Sequence, residues 1–248
     1  MYIYVSVAPI NCTCVLVCYA FIMRTQNGGK IWISDIHNQG FCEYEIHLRY
    51  VLELPDPGGK ALVDGRAAHE VLDISNQLAA QVNALQRIEA GLVVPSTVEE
   101  IVDVARNEGE SFAVRDVSIE GTRIKGRIDQ VDFTPEKVFI IDDKPPSRDG
   151  KPYINEIHQV QGYCLAFSEQ YPEIGLPLVA VIRNEHTGDD MWSKLFTQGD
   201  VLKVNECVNR IIGIMEGTWI PEPTTNKNKC ANCRWHPVCD RSQYHGRG

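Results

Sequence analysis

An acid, a spacer and a lysine close an apolar run in this sequence, where Asp142-Asp143-Lys144 follows Val138-Phe139-Ile140-Ile141. Side chains alternate along a strand, so Lys144 projects to the same face as Asp142. Upstream, Gly126-Arg127-Ile128-Asp129 ends in a second acid, and neighbouring hairpin strands can bring Asp129 and Asp142 side by side. Paired carboxylates suit a hard divalent cation with oxygen ligands. Such a cation lowers the pKa of its water, and an adjacent ammonium orients that water or offsets charge building on a phosphate. Phosphodiester hydrolysis is the chemistry this set serves. Asp-x-Lys alone is common, and the same residues also read as the solvated end of an exposed hairpin.

Two further groups extend the set. Gly65-Arg66-Ala67-Ala68-His69 puts a histidine near the start of a helix, and a neutral imidazole can join two carboxylates around a metal. A surface or capping role is the alternative for His69. Gln159 and Tyr163 are four residues apart and share one helix face, so both can point to the mouth of the sheet. Tyr163 also reads as core, one turn before Phe167. Asp143 adds a third carboxylate, which either serves a second metal or, on the preferred reading, faces solvent.

Nine cysteines in 248 residues are too dilute for a disulfide scaffold. Cys230-x-x-Cys233 and Cys239 put three thiols in a loop rich in Pro and Asn, and Cys42 completes a four-thiolate site if the first helix and the tail meet. Iron–sulfur and zinc both suit four thiolates, and His236 lies in the same loop. Cys164 and Cys207 fall on apolar helical stretches and read as small buried hydrophobes. Trp235, beside Arg234, reads as a contact for an unpaired base.

The elements that must position these residues follow from periodicity. Ser34 or Asp35 caps a first helix running through Tyr50, and Pro55, Pro57, Gly58 and Gly59 form a loop. Val71, Ile74, Leu78, Val82, Leu85 and Ile88 predict a second helix from about Asp64, closed by Gly91. Ser96 opens a third, to about Asn107. Strands are predicted over Ser111–Ile119, Thr122–Phe133 and Lys137–Asp143, then a helix over Asn155–Tyr171. Leu176–Arg183 and Met191–Phe196 form a strand pair, and a last helix covers Gly199–Glu216. The class is mixed α/β. The formal charge of −9 argues against a surface coated in positive charge, although five bases against Glu222 and Asp240 make residues 221–248 locally basic.

Residues 1–23 carry no charge and, apart from Ser6, Pro9, Asn11 and Thr13, are all apolar. Three readings apply: a membrane anchor, a buried strand or helix, or an upstream extension with Met23 as the start. Pro9 and Asn11 interrupt the run and favour the extension. Cys12, Cys14 and Cys18 belong to this segment and are not read as a metal motif.

The order Gly-x-x-x-His, Gly-x-x-Asp, Asp-x-Lys behind an apolar strand, then Gln-x-x-x-Tyr resembles the RecB-like branch of the PD-(D/E)XK nuclease superfamily. One early cysteine with three late ones resembles its iron–sulfur, CRISPR-associated exonucleases. The likeness covers about residues 31–240. It implies a restriction-endonuclease-like core with a central mixed sheet flanked by helices. It further implies Mg²⁺ or Mn²⁺ on His69, Asp129, Asp142 and the backbone carbonyl of Asp143, with Lys144 catalytic and Gln159 and Tyr163 near the scissile strand. Cys42, Cys230, Cys233 and Cys239 would hold a 4Fe-4S cluster, with zinc the alternative. The expected division is an extension over 1–23, a nuclease domain over 31–220 and a cluster-binding tail over 221–248 completed by Cys42. The expected activity is exonucleolytic, on single-stranded DNA ends, in the cytoplasm, in CRISPR adaptation or in recombination and repair. CRISPR integration proteins or a helicase are the partners implied. The competing classes are a catalytically vestigial DNA-end-binding protein and a zinc-stapled interaction module. Two departures stand out: Glu43-Tyr44-Glu45 replaces the usual Pro and basic residue after the first cysteine, and Pro145-Pro146 follows Lys144.

Overall fold

The computed structural model describes residues 29–58, 84–92, 94–147 and 149–242. Strand β1 (Ile31–Trp32) leads into α1 (Ser34–Phe41), α2 (Glu43–Ile46) and a π-helical turn (His47–Val51). After α3 (Val98–Glu108) come the meander β2 (Phe112–Glu120), β3 (Ile124–Phe133) and β4 (Val138–Lys144), then α4 (Ile154–Gln170). Strands β5 (Leu178–Asn184) and β6 (Asp190–Leu195), helix α5 (Gln198–Met215) and the short α6 (Lys227–Ala231) complete the order.

The six strands form one mixed sheet. Along its length β3 pairs antiparallel with β2, and on its other side with β4 at one end and, in parallel, with β1 at the other. Strands β4 and β5 are parallel, so the chain must cross over between them, and α4 is that crossover. Val160, Tyr163, Cys164 and Phe167 of α4 pack with Val204, Val208 and Ile211 of α5 and Ile33 and Ile36 around α1. This core lies against Ile128, Val131, Phe133, Val138 and Ile140 of the sheet. The fold is the expected mixed sheet flanked by helices.

Local expectations change at four places. The first helix does not run unbroken to Tyr50, because Cys42 is extended (φ −163°, ψ 115°) between α1 and α2. One extended residue leaves the apolar spacing nearly intact, so periodicity cannot detect it. The second predicted helix lies mostly outside the described residues. Of its end, 84–89 are helical and Gly91 takes the left-handed φ of 70° expected of a closing glycine. Leu85 and Ile88, expected to be buried, are exposed, and Arg87 is buried instead, ion-paired with Glu108 and Glu110. The two-residue β1 is too short for any pattern to reveal. Thr97 rather than Ser96 caps α3, its hydroxyl accepting from the Glu100 N–H.

At the start of α5, Asp200 is buried and accepts hydrogen bonds from the Thr197 N–H and hydroxyl, Gln161 Nε2 and Lys194 Nζ. Burial would raise its pKa, but the Lys194 and Thr197 donors outweigh that and hold it below the ordinary carboxylate value. A depressed folded pKa stabilises above the unfolded value of about 3.9 and is lost as pH falls through the folded one. Asp200→Ala is therefore expected to cost roughly 2–3 kcal/mol at neutral pH. The deficit should shrink below about pH 4 in urea melts, and a deficit independent of pH would contradict this account.

Candidate functional site

The ladder between β3 and β4 runs from Phe133↔Val138 to Gln130↔Ile141 and stops, while β4 continues along β5 as far as Lys144↔Asn184. The two strands part at this point. One further step in register sets Asp129 opposite Asp142, and Asp129 Oδ2 accepts the Asp143 N–H at 2.8 Å across the opening.

A shared irregularity in β2 and β3 produces this arrangement. Phe112 and Val114 of β2 reach the core, and further along so do Val117 and Ile119. In β3 the core residues are Ile124 and Ile128, then Val131 and Phe133. Inside–outside alternation therefore changes phase in both strands at the same level, beside Asp116, which has φ 57°. Asp129 sits at that change. Gly126, three residues before, has no side chain because a Cβ there would lie 2.8 Å from Tyr163 Cε1. The glycine of Gly-x-x-Asp thus lets α4 approach β3.

Asp142 is almost wholly buried, and its Oδ2 lies 2.9 Å from Lys144 Nζ without receiving a directed hydrogen bond. Burial works against the Lys144 charge, but Asp142 and Asp129 overcome it and hold the ammonium well above the ordinary lysine value. Gln159 Nε2 donates to the Tyr163 hydroxyl at 3.3 Å. Burial, then the charge of Asp142, pushes the Tyr163 phenol up. Tyr163 is part of the core, with its hydroxyl held by Gln159.

Two residues that the motif order does not include also face the site. Glu156, in the first turn of α4, is buried near Lys144 and Asp142, and burial raises its carboxyl pKa. Its place one turn before Gln159 was the available signal. His37 of α1 is half-buried and has its pKa lowered to about 4 by burial and then by Lys144. No sequence pattern pointed to it. His69, the expected histidine ligand, lies outside the described residues. Among the described residues no group of three or more His, Cys, Asp or Glu is placed to hold a metal ion.

Residues 33–240 match the family model of the PD-(D/E)XK nuclease superfamily. The chain belongs to this superfamily. No curated protein matches it. Among solved structures it is similar to SSO0001, at 16% identity over 93% of this chain and 97% of that one, with a TM-score of 0.41. A protein from Eubacterium rectale named as an exonuclease is 14% identical over 91% and 93%, with a TM-score of 0.45. An alkaline exonuclease from Laribacter hongkongensis is 15% identical over 77% and 89%, with a TM-score of 0.32.

In this nuclease-superfamily chain the four singled-out cysteines share a cavity without standing close enough together to count as a metal-holding group. Cys42, Cys230, Cys233 and Cys239 line one cavity with Tyr44, Glu45, Leu48 and Trp235. Cys42 Sγ accepts the Thr224 N–H at 3.3 Å, and Cys233 Sγ donates to Glu45 Oε1 at 3.4 Å. Burial, reinforced by Glu45, pushes the Cys233 thiol up to about 12. The tail is also tied down by Tyr44 to Asp240, Arg234 to Asp56 and Lys229 to the carbonyls of Gly40 and Phe41.

Several expectations for this nuclease are corrected. Asp143 neither faces solvent nor offers its carboxylate to a second metal: it is buried on the opposite face of β4, paired with Arg115 and Arg183. The side chains of Arg115 and Arg183, reaching in from β2 and β5, cover it on that face. Trp235 is not a base contact, because it is fully buried against the cysteine cavity, and its Nε1 has no hydrogen-bond partner. Cys164 is buried as expected, whereas Cys207 is half-buried with Sγ 3.8 Å from His158 Nδ1.

Proposed function

We propose that this chain is a metal-dependent DNA exonuclease of the RecB-like branch, acting preferentially on single-stranded ends. The observation that carries this reading is the opening between β3 and β4, where Asp129, Asp142 and Lys144 meet in a chain of the nuclease superfamily. Asp142 Oδ2 is buried and, although 2.9 Å from Lys144 Nζ, receives no directed hydrogen bond, which leaves room for a further partner. A cation beside it and Asp129 fits that role. His69 and the Asp143 carbonyl are the proposed remaining ligands.

Bound there, Mg²⁺ or Mn²⁺ would lower the pKa of a water poised to attack a phosphodiester. Asp129 and Asp142 supply the anionic seat. Lys144, kept charged by those same acids, orients the attacking water and faces the negative charge building on the phosphate. Tyr163 keeps its proton and, bonded to Gln159, donates from the core side of the site.

The proposal extends to a 4Fe-4S cluster on Cys42, Cys230, Cys233 and Cys239, joining the tail over 221–248 to a nuclease domain over 31–220. The unpartnered Trp235 N–H in the wall of that cavity supports a bound acceptor, and cluster sulfur is one. Brown anaerobic protein containing iron and acid-labile sulfide is the expected result, and a colourless preparation with stoichiometric zinc would reject it. The cytoplasm is the proposed compartment. The apolar stretch 1–23 lies outside the described residues, and among those no helix is long and apolar enough to cross a membrane. CRISPR integration proteins or a helicase are the proposed partners.

The activity is tested with end-labelled linear and circular single strands, with Mn²⁺ and with chelator. Linear strands should shorten from an end only with Mn²⁺, and circles should resist. Equal attack on circles would overturn the exonuclease assignment. Metal-independent binding without cleavage would favour a vestigial end-binding protein.

A further inference from the structure

Behind the site, on the opposite face of the sheet, four strands contribute to one polar bracket. Arg183 of β5 grips Asp143 with both ends of its guanidinium, Nε to Oδ1 at 2.7 Å and Nη2 to Oδ2 at 3.0 Å. Arg115 of β2 reaches the same Oδ2 at 2.9 Å and gives its Nη1 to Gln130 Oε1 of β3 at 2.8 Å. Arg183 Nη2 also reaches that Gln130 oxygen at 3.0 Å, and Gln130 Nε2 donates to Asp132. The Asp143 side chain is wholly buried between the two arginines, with their side chains 8% and 16% exposed.

The bracket stands where the backbone ladder stops. Beyond Gln130↔Ile141 no strand hydrogen bonds tie β4 to β3, yet the carboxylate spacing of the site depends on how β4 sits beyond that point. Asp143 lies between Asp142 and Lys144, and a twist that moves its side chain on one face must move theirs on the other. Its N–H is also the donor to Asp129.

We propose that Arg183 and Arg115 are positioning residues, which act through Asp143 to fix Asp142 and Lys144 against Asp129. This rests on the nuclease reading for its consequence, but the positioning itself is measurable without cleavage. A charged partner buried in a bidentate pair is sensitive to the loss of the fork even when charge is kept.

The test is Arg183→Lys, with Arg115→Lys as the second variant should the first fold poorly. Hydrogen exchange of the Asp143 amide is expected to quicken about tenfold while central β4–β5 amides such as that of Ile140 stay protected. Mn²⁺ affinity of the DNA-free protein, by calorimetry, should weaken about fivefold or more, and kcat should fall about tenfold or more with KM for DNA nearly unchanged. Wild-type exchange at Asp143 with wild-type Mn²⁺ affinity, in a variant that merely melts lower, would overturn the proposal. If the parent protein neither binds Mn²⁺ nor cuts DNA, the nuclease reading fails, and the Asp143 amide alone then decides for or against the bracket.

Discussion

Asp142→Asn and Lys144→Ala are each expected to reduce Mn²⁺-dependent strand cleavage by about 10³-fold or more. The two should part company in metal binding. Asp142→Asn removes half of the anionic seat, so Mn²⁺ affinity should fall with activity. Lys144→Ala removes the ammonium 2.9 Å from Asp142 that neutralises the seat in the absence of metal. The buried Asp142 then loses its counter-charge beside the half-buried Asp129, and the metal-free protein should lose stability, by about 3 kcal/mol on the scale of a broken buried pair. Added Mn²⁺ should restore most of that stability without restoring cleavage. Calorimetric titration beside a strand-digestion assay separates the outcomes. Wild-type cleavage in either variant would remove these residues from the site, and weaker Mn²⁺ binding by Lys144→Ala would refute the neutralising role.

The second large effect is expected at the cysteine cavity. Cys233→Ala should bleach the anaerobic protein and lower its melting temperature by roughly 6–12 °C, corresponding to about 3 kcal/mol for a chain of this size. The reason is reach: Cys42, between α1 and α2, and the tail cysteines are the two ends of almost the whole fold, and closing so long a loop costs entropy that a bound group offsets. The loss should be partial. Tyr44 to Asp240, Arg234 to Asp56 and the tail-side anchor of Arg210 on Glu43 and the Ile220 carbonyl persist without any cluster. An unchanged melting curve in a protein that has lost its iron would show that the cysteines do not staple the fold.

Much of the site was legible because it lies on regular strands. The alternation of Asp142 and Lys144 and the i,i+4 pair Gln159 and Tyr163 are properties of local geometry, and the structure keeps both. What could not be read depends on contacts distant in sequence. Nothing near Asp143 announces Arg115 or Arg183, which reach it only because β2 and β5 flank the same pair of strands. Trp235 next to Arg234 resembled a stacking platform, but burial is decided by Tyr44 and Leu48, far upstream. Cys42 broke the first helix because one residue had to turn towards the tail, a demand made by the far end of the chain.

The paired change of phase in β2 and β3 bears on how this chain can be aligned with others. An alignment guided by inside–outside alternation along β3 carries its parity from Ile128 straight through to Val131 and must insert or omit one position between them. That slip exchanges Asp129, which bridges to the Asp143 amide, for Gln130, which serves the bracket behind the sheet. Matching β2 at the same time removes the ambiguity, because its own break at Asp116 stands opposite and the pairing register keeps one offset on both sides of it, from Arg115↔Gln130 to Val117↔Ile128.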